Sequence, residues 1–272
     1  MVLGSISMNT EIFIVSYLRD KPWLEFNLRS IEKFCKGFAG VTVLVPELEF
    51  QAFSDANLHR LTALTLKTYD RPEPESHWHL RHQVEKCYAD VWCPAADFIL
   101  HTDSDCIFTE PVTPEDYFEN GKPVMLHEAY SMLPATIPWK AVTELALGFP
   151  VQQETMRRHP QVNPAGVYEA VRSHIAGVHK MDFRDYVMRC KADFPWGFSE
   201  HNAIGAFALH DATWRERYHW IDLATQKAPK DKLIQFWSHS PPDKEQEISH
   251  FWHDLTWKRV VPGVLIEKIL AS

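Results

Sequence analysis

The stretch Phe98-Ile99-Leu100-His101-Thr102-Asp103-Ser104-Asp105-Cys106-Ile107-Phe108 decides the fold reading of this chain. An apolar run meets a polar edge, where two carboxylates stand two positions apart. Side chains of an extended chain alternate between faces, so Asp103 and Asp105 are expected on the same side of a strand end. Two acids so placed repel each other, and a hard divalent cation within reach of both relieves the repulsion. Mg2+ or Mn2+ suits such oxygen ligands. A diphosphate joining that ion would be a leaving group held by a Lewis acid, the chemistry expected of a nucleotide-sugar transferase.

The same residues admit other readings. Asp-Ser-Asp after a strand can simply cap a turn through local bonds to backbone amides. A calcium loop of the EF-hand kind fails, because its sixth position is Phe108 rather than Gly and no acidic ladder follows. A haloacid-dehalogenase-type phosphatase would use Asp103 as nucleophile. That fold needs its motif on the first core strand and a distal acidic pair, whereas here three strands precede the motif and no Gly-Asp-x-x-x-Asp occurs. A non-catalytic nucleotide-sugar-binding module is the third alternative.

Upstream of the acidic pair, residues 11–17 read as a first buried strand. Pro22 opens a helix with the apolar face Leu24, Leu28, Ile31 and Phe34, closed by Gly37 and Gly40. Residues 41–45 form a second strand, 48–58 a short helix, and 61–68 an alternating third strand. A Pro-rich loop at 71–76 leads to a helix with Leu80, Val84, Cys87, Tyr88 and Val91 on one face. Residues 97–102 are the fourth strand. Strand–helix alternation with short connections implies an α/β, Rossmann-like fold, with a mostly parallel sheet flanked by helices. Ligands of such sheets bind beyond the carboxyl ends of strands, where Asp103 and Asp105 stand.

The second half is less regular. A strand is expected at 122–126, and helices at 138–148 and 182–192, the latter capped by Asp182. Helical pieces are expected between 150 and 179. Residues 198–210 are undecided between helix and strand. Strands follow at 218–223 and 233–237, with a helix from Val264 onward.

Length favours one domain: 272 residues, with 1–8 a loose tail and 9–272 the folded part. A formal charge of −8 without a Lys/Arg block argues against a nucleic-acid partner. Five cysteines without C-x-x-C spacing argue against a disulfide framework and a Cys zinc site, and point to a reducing, cytoplasmic setting. No apolar run reaches the length of a membrane span, and residues 1–7 lack the marks of a signal peptide, so membrane contact is expected to be peripheral at most.

Several side chains are candidates for chemistry. Glu200 lies in Phe198-Ser199-Glu200-His201-Asn202, close to Trp196. A carboxylate against aromatic rings is expected to have a raised pKa and to serve as a general base, in which case transfer inverts the anomeric carbon. The bland alternative is a helix start. His239 ends the apolar run 233–237 and is a candidate Mn2+ ligand, with His250 and His253 next. Arg81 and Lys86 precede the acidic strand on a helix and can neutralise a diphosphate, unless they merely form an exposed face. Trp196 is expected to stack on sugar or base. His77, His79 and His82 read as a solvated helix start rather than a zinc site.

The layout resembles the GT-A glycosyltransferases, the nucleotide-diphospho-sugar transferases with an Asp-x-Asp motif. The likeness is carried by the strand at 98–102, by Asp103-Ser104-Asp105, by the preceding helix with Gln83 and Lys86, and by Trp196-Gly197-Phe198-Ser199-Glu200. It spans most of the chain as an architecture and is sharp only at Asp-x-Asp. The resemblance implies that residues 9–110 are a nucleotide-binding half and 111–272 an acceptor-binding half. It implies that Asp105 binds the metal directly, that Asp103 binds the ribose or the metal through water, and that His239 completes the metal site. Ser16 and Tyr17 would face base and ribose, and Glu200 would lie near the acceptor hydroxyl. The implied activity is metal-dependent transfer, with Mn2+ or Mg2+, of a hexose-like sugar from a UDP-sugar or similar donor to a hydroxyl acceptor such as a glycan.

Overall fold

The computed structural model describes residues 9–54, 64–70, 77–157, 160–190 and 197–235. Strand β1 (Thr10–Val15) shows the pleat directly: Ile12 and Ile14 enter one apolar core, and Phe13 and Val15 enter another on the opposite face. Helix α1 (Lys21–Phe34) has Pro22 in its first turn and buries Leu24, Leu28, Ile31 and Phe34 in the first of these cores. Strand β2 (Gly40–Pro46), the short helix α2 (Phe50–Ser54) and strand β3 (Leu64–Tyr69) follow. Helices α3 (Trp78–Lys86) and α4 (Ala89–Trp92) then cross the other face and lead to strand β4 (Phe98–His101).

The remaining strands are β5 (Cys106–Phe108), β6 (Phe118–Glu119), β7 (Lys122–Ala129), β8 (Gln153–Glu154), β9 (Gln161–Pro164), β10 (His219–Asp222) and β11 (Leu233–Gln235). The remaining helices are α5 (Ile137–Leu147), α6 (Gly166–His179), α7 (Phe183–Met188), α8 (Glu200–His210) and α9 (Ala212–Arg215). The central sheet runs β3-β2-β1-β4-β9, parallel except for the antiparallel β9. The α/β class with a mostly parallel, helix-flanked sheet is therefore observed. Because β2 and β3 lie on one side of β1 and β4 on the other, the carboxyl ends of β1 and β4 flank a topological switch point. A second sheet joins β10, β7 and β6, with β8 on β7, and β11 pairs with β5.

Several expectations change. The single helix over 80–91 is two helices, and Val91 is 56% exposed. The break at Cys87 is held from outside: the Arg172 guanidinium bonds the Cys87 carbonyl and both oxygens of Asp90, and lies 4.3 Å from the Tyr88 ring centre. The stretch 150–179 holds β8 and β9 before its one long helix. Within 198–210, residues 200–210 form α8, with Ser199 as N-cap, its Oγ accepting from the Asn202 N–H at 3.4 Å. Helix α5 ends as expected at Gly148, whose φ of +71° favours glycine; a side chain there would also meet Val178 Cγ1 at 2.9 Å. Helix α7 stops at Met188, short of the expected 192, and Asp182 caps it through the Arg184 N–H at 2.8 Å.

Expectations for residues 1–8, 55–58, 61–63, 71–76, 191–196 and 236–272, including the helix from Val264, lie outside the described residues. Among the described residues no helix is long and apolar enough to cross a membrane. All five cysteines carry free thiols.

Candidate active site

The acidic pair does not continue the strand. The β4 ladder ends at His101, and the Cys106 N–H donates to the Asp103 carbonyl at 3.1 Å, closing a turn over Asp103–Cys106. The alternation expected to aim both acids the same way therefore does not apply, because it holds only in extended chain. Asn27 of α1 braces the turn from behind, its amide donating to the carbonyls of Asp103 at 3.2 Å and Cys106 at 2.5 Å. Ser104 Oγ donates to Ser16 Oγ at 2.9 Å, tying the turn to the end of β1.

Lys86 projects from the last turn of α3 into this corner. Its ammonium lies 2.7 Å from Asp103 Oδ1 and 2.9 Å from Glu200 Oε1, and the residue is 4% exposed. Gln235 Nε2 approaches Asp103 Oδ2 at 3.4 Å. Asp105 is buried, with the Cys106 thiol 3.9 Å from its Oδ1. Burial opposes the charge on Lys86, yet the two carboxylates win and raise its pKa above the ordinary lysine value. Burial alone would raise Glu200, but the Lys86 ammonium and His201 outweigh it and hold the carboxyl at about 2. The raised pKa expected of Glu200 is thus reversed, because a buried ammonium, not an aromatic ring, is its nearest partner.

Glu200 owes its position to α8. Thr155, just after β8, presses on that helix: its N–H donates to Asn202 Oδ1 at 2.9 Å and its hydroxyl to the His201 carbonyl at 3.2 Å. Gly205 permits the approach, since a methyl group there would run into the Thr155 side chain.

Tyr17 lies at the exit of β1 with its ring 5.3 Å from Trp78 and 6.2 Å from His82. Burial, then the Asp20 carboxylate, raise its phenol pKa. His82 Nε2 donates to the Val15 carbonyl at 3.1 Å; burial, then the Lys86 ammonium, lower its pKa to about 4. His79 packs edge-on against Trp78.

The two basic residues of α3 have different partners. Lys86 enters the acid cluster, while Arg81 pairs with buried Glu85 at 2.9 Å and donates to the Asp70 carbonyl at 2.6 Å. Glu85 also takes Arg184 and the Trp92 indole N–H, so Arg81 helps fasten α3 to its neighbours. Trp196 and His239, with the alternatives His250 and His253, lie outside the described residues. Among the described residues no three His, Cys, Asp or Glu side chains gather as a metal site.

Sequence reasoning missed a set of polar residues behind Glu200: His101, Gln161, Asn163, Tyr168 and Tyr218, all buried. None carries a local signal, since the set joins β4, β9, α6 and the start of β10 only in the fold. Burial, then His201 and Lys86, push the His101 pKa well below the ordinary value. In comparisons with known proteins, the chain matches no protein-family model and no curated sequence.

Proposed function

We propose that this chain is a metal-dependent glycosyltransferase of the GT-A type. It would move a sugar from a nucleotide donor, UDP-sugars first, to a hydroxyl acceptor such as a glycan. The observation that carries the reading is the Asp103–Lys86–Glu200 cluster at the switch point between β1 and β4. Open α/β sheets bind ligands at that place. The cluster also draws its members from three elements, so donor-side and acceptor-side groups meet in one corner.

Asp103 and Asp105 are oxygen donors of the kind that Mg2+ or Mn2+ takes. Such ions are commonly held by one or two carboxylates together with substrate phosphates. Asp103 and Asp105 would supply the carboxylates, with His239 as a further ligand. The bound ion would stabilise the departing diphosphate as a Lewis acid. Tyr17, Trp78 and the end of β1 offer an aromatic wall for base and ribose, with Ser16 bracing it from within. Lys86 would stand beside the diphosphate, whose oxygens would compete for its ammonium. As the diphosphate draws on Lys86, the grip on Glu200 weakens and its proton affinity climbs toward the range a general base needs. Glu200 then accepts the proton of the attacking hydroxyl. The five free thiols suit a reducing compartment.

The test is nucleotide release from a panel of nucleotide sugars with Mn2+, alongside phosphate release from monoesters. UDP release that stops in excess EDTA and in Asp105→Ala supports the reading. Full turnover in EDTA counts against it. Phosphate release from monoesters would favour a phosphatase with Asp103 as nucleophile. Thermal stabilisation by nucleotide sugars without any turnover would favour a binding module.

A further inference from the structure

The polar residues behind Glu200 form one directed hydrogen-bond chain. Gln161 Nε2 lies 3.1 Å from Met125 Sδ and 3.4 Å from the Thr155 carbonyl. Neither of those atoms can donate, which fixes the amide with its NH2 on that side. Gln161 Oε1 then faces Asn163 Nδ2 at 3.3 Å and His201 Nδ1 at 3.1 Å. Asn163 is fixed in turn, because the Gln161 oxygen requires a donor and so takes its Nδ2; its Oδ1 is then left to accept from the Tyr218 hydroxyl at 2.9 Å, while Nδ2 also reaches the Tyr168 hydroxyl at 3.2 Å. The Tyr168 hydroxyl also lies 2.6 Å from His101 Nε2. Flipping Gln161 would set its NH2 against that of Asn163 and leave two oxygens facing each other at Thr155. One assignment satisfies the chain, and in it His201 Nδ1 meets a carbonyl oxygen and must carry a proton.

The other ring nitrogen, His201 Nε2, lies 3.5 Å from Glu200 Oε1, the oxygen that Lys86 also holds. We propose that Gln161 is a positioning residue for the acceptor-side carboxylate: by accepting from His201 Nδ1–H it orients the ring, held as the doubly protonated imidazolium, so that Nε2–H and the Lys86 ammonium grip Glu200 Oε1 and leave Oε2 to the acceptor hydroxyl. A partner on the far ring nitrogen orients metal-bound histidines too, but there the near nitrogen offers a lone pair to a cation, whereas a nitrogen facing a carboxylate must carry a proton. The hydrogen-bond placement stands on geometry alone, and its consequence for turnover rests on the transferase reading.

Long-range 1H–15N spectra of the imidazole rings test the placement, with the His201 signal assigned through His201→Gln. Protons on both His201 ring nitrogens are expected in the unaltered protein at neutral pH, the doubly protonated form being lost in Gln161→Leu and kept in Gln161→Glu, which still presents an acceptor. An unprotonated Nδ1 or Nε2 in the unaltered protein, or a Gln161→Leu spectrum identical to that of the unaltered protein, overturns the proposal. Should Gln161→Leu fail to fold, the unaltered protein and Gln161→Glu still decide it. In turnover, Gln161→Leu should lower kcat ~10–100-fold at nearly constant donor KM, the range shown by partners that orient metal-bound histidines, with recovery in Gln161→Glu. An unchanged kcat in Gln161→Leu would overturn the positioning role. Absence of turnover by the unaltered protein with every donor would count against the transferase reading, while the imidazole spectra judge the placement separately.

Discussion

Lys86 Nζ donates to Glu200 Oε1 at 2.9 Å across 114 positions of chain. The same ammonium holds Asp103 at 2.7 Å, so one cation joins α3, the turn after β4 and the first turn of α8. Removing one member of a buried ion pair leaves an uncompensated charge, and here it leaves two. Lys86→Met should therefore lower the unfolding free energy by about 3–5 kcal/mol in urea titrations at neutral pH. A loss under about 1 kcal/mol, the worth of an exposed pair, would show that water already screens the cluster.

Glu200→Gln keeps the shape of the side chain and removes its charge. Positioned base catalysis contributes ~10²–10⁴-fold, so turnover should fall by about that factor with donor affinity nearly intact. The product should show inverted anomeric configuration. Retention together with near-normal turnover in Glu200→Gln would reduce this residue to acceptor binding.

Acid should unfold the protein in two stages. His82 is held neutral in the fold, with its pKa lowered from 6.5 to about 4. Between those values the unfolded chain binds more protons than the native one, so stability falls as pH falls through that window. Glu200 is held ionised, with its pKa lowered from 4.5 to about 2, and its contribution is present above 4.5 and lost below. Urea midpoints measured from pH 7 to pH 3 should decline throughout. His82→Gln should reduce the upper slope without abolishing it, since burial also lowers the His101 and His79 pKa values, and should leave the lower part; an unchanged upper slope would exclude His82 as a contributor.

Gly205→Ala sets a methyl group against the Thr155 side chain in a fully packed contact. Overpacking of this kind costs about 1–3 kcal/mol, and relief requires moving either the Thr155 segment or α8, which carries Glu200. Thermal melting should show the destabilisation, and nucleotide release should fall along with it. A variant with unaltered melting temperature would mean that the Thr155 segment yields freely.

The elements legible in the sequence are those whose burial is one-sided or continuous along a short stretch. Strands β1, β2 and β4, helix α1 with its Pro22 start, α5 with its Gly148 stop and the Asp182 cap all leave local patterns, because a strand in a parallel sheet or a helix on its face imposes a period. The position of Asp103 and Asp105 at a strand end followed from the same patterns. Helix α8 was undecided for a physical reason: residues from Glu200 to Ala208 are all buried, so no polar stripe marks a helical period. Antiparallel β9 and the break at Cys87 depend on partners far along the chain, as does the turn that replaces the expected strand at Asp103. The reversed pKa of Glu200 shows the boundary most clearly. Its sequence neighbours are aromatic and suggested a raised value, but ionisation answers to whatever charge lies within a few ångströms, and that charge is Lys86, which only the tertiary structure brings there.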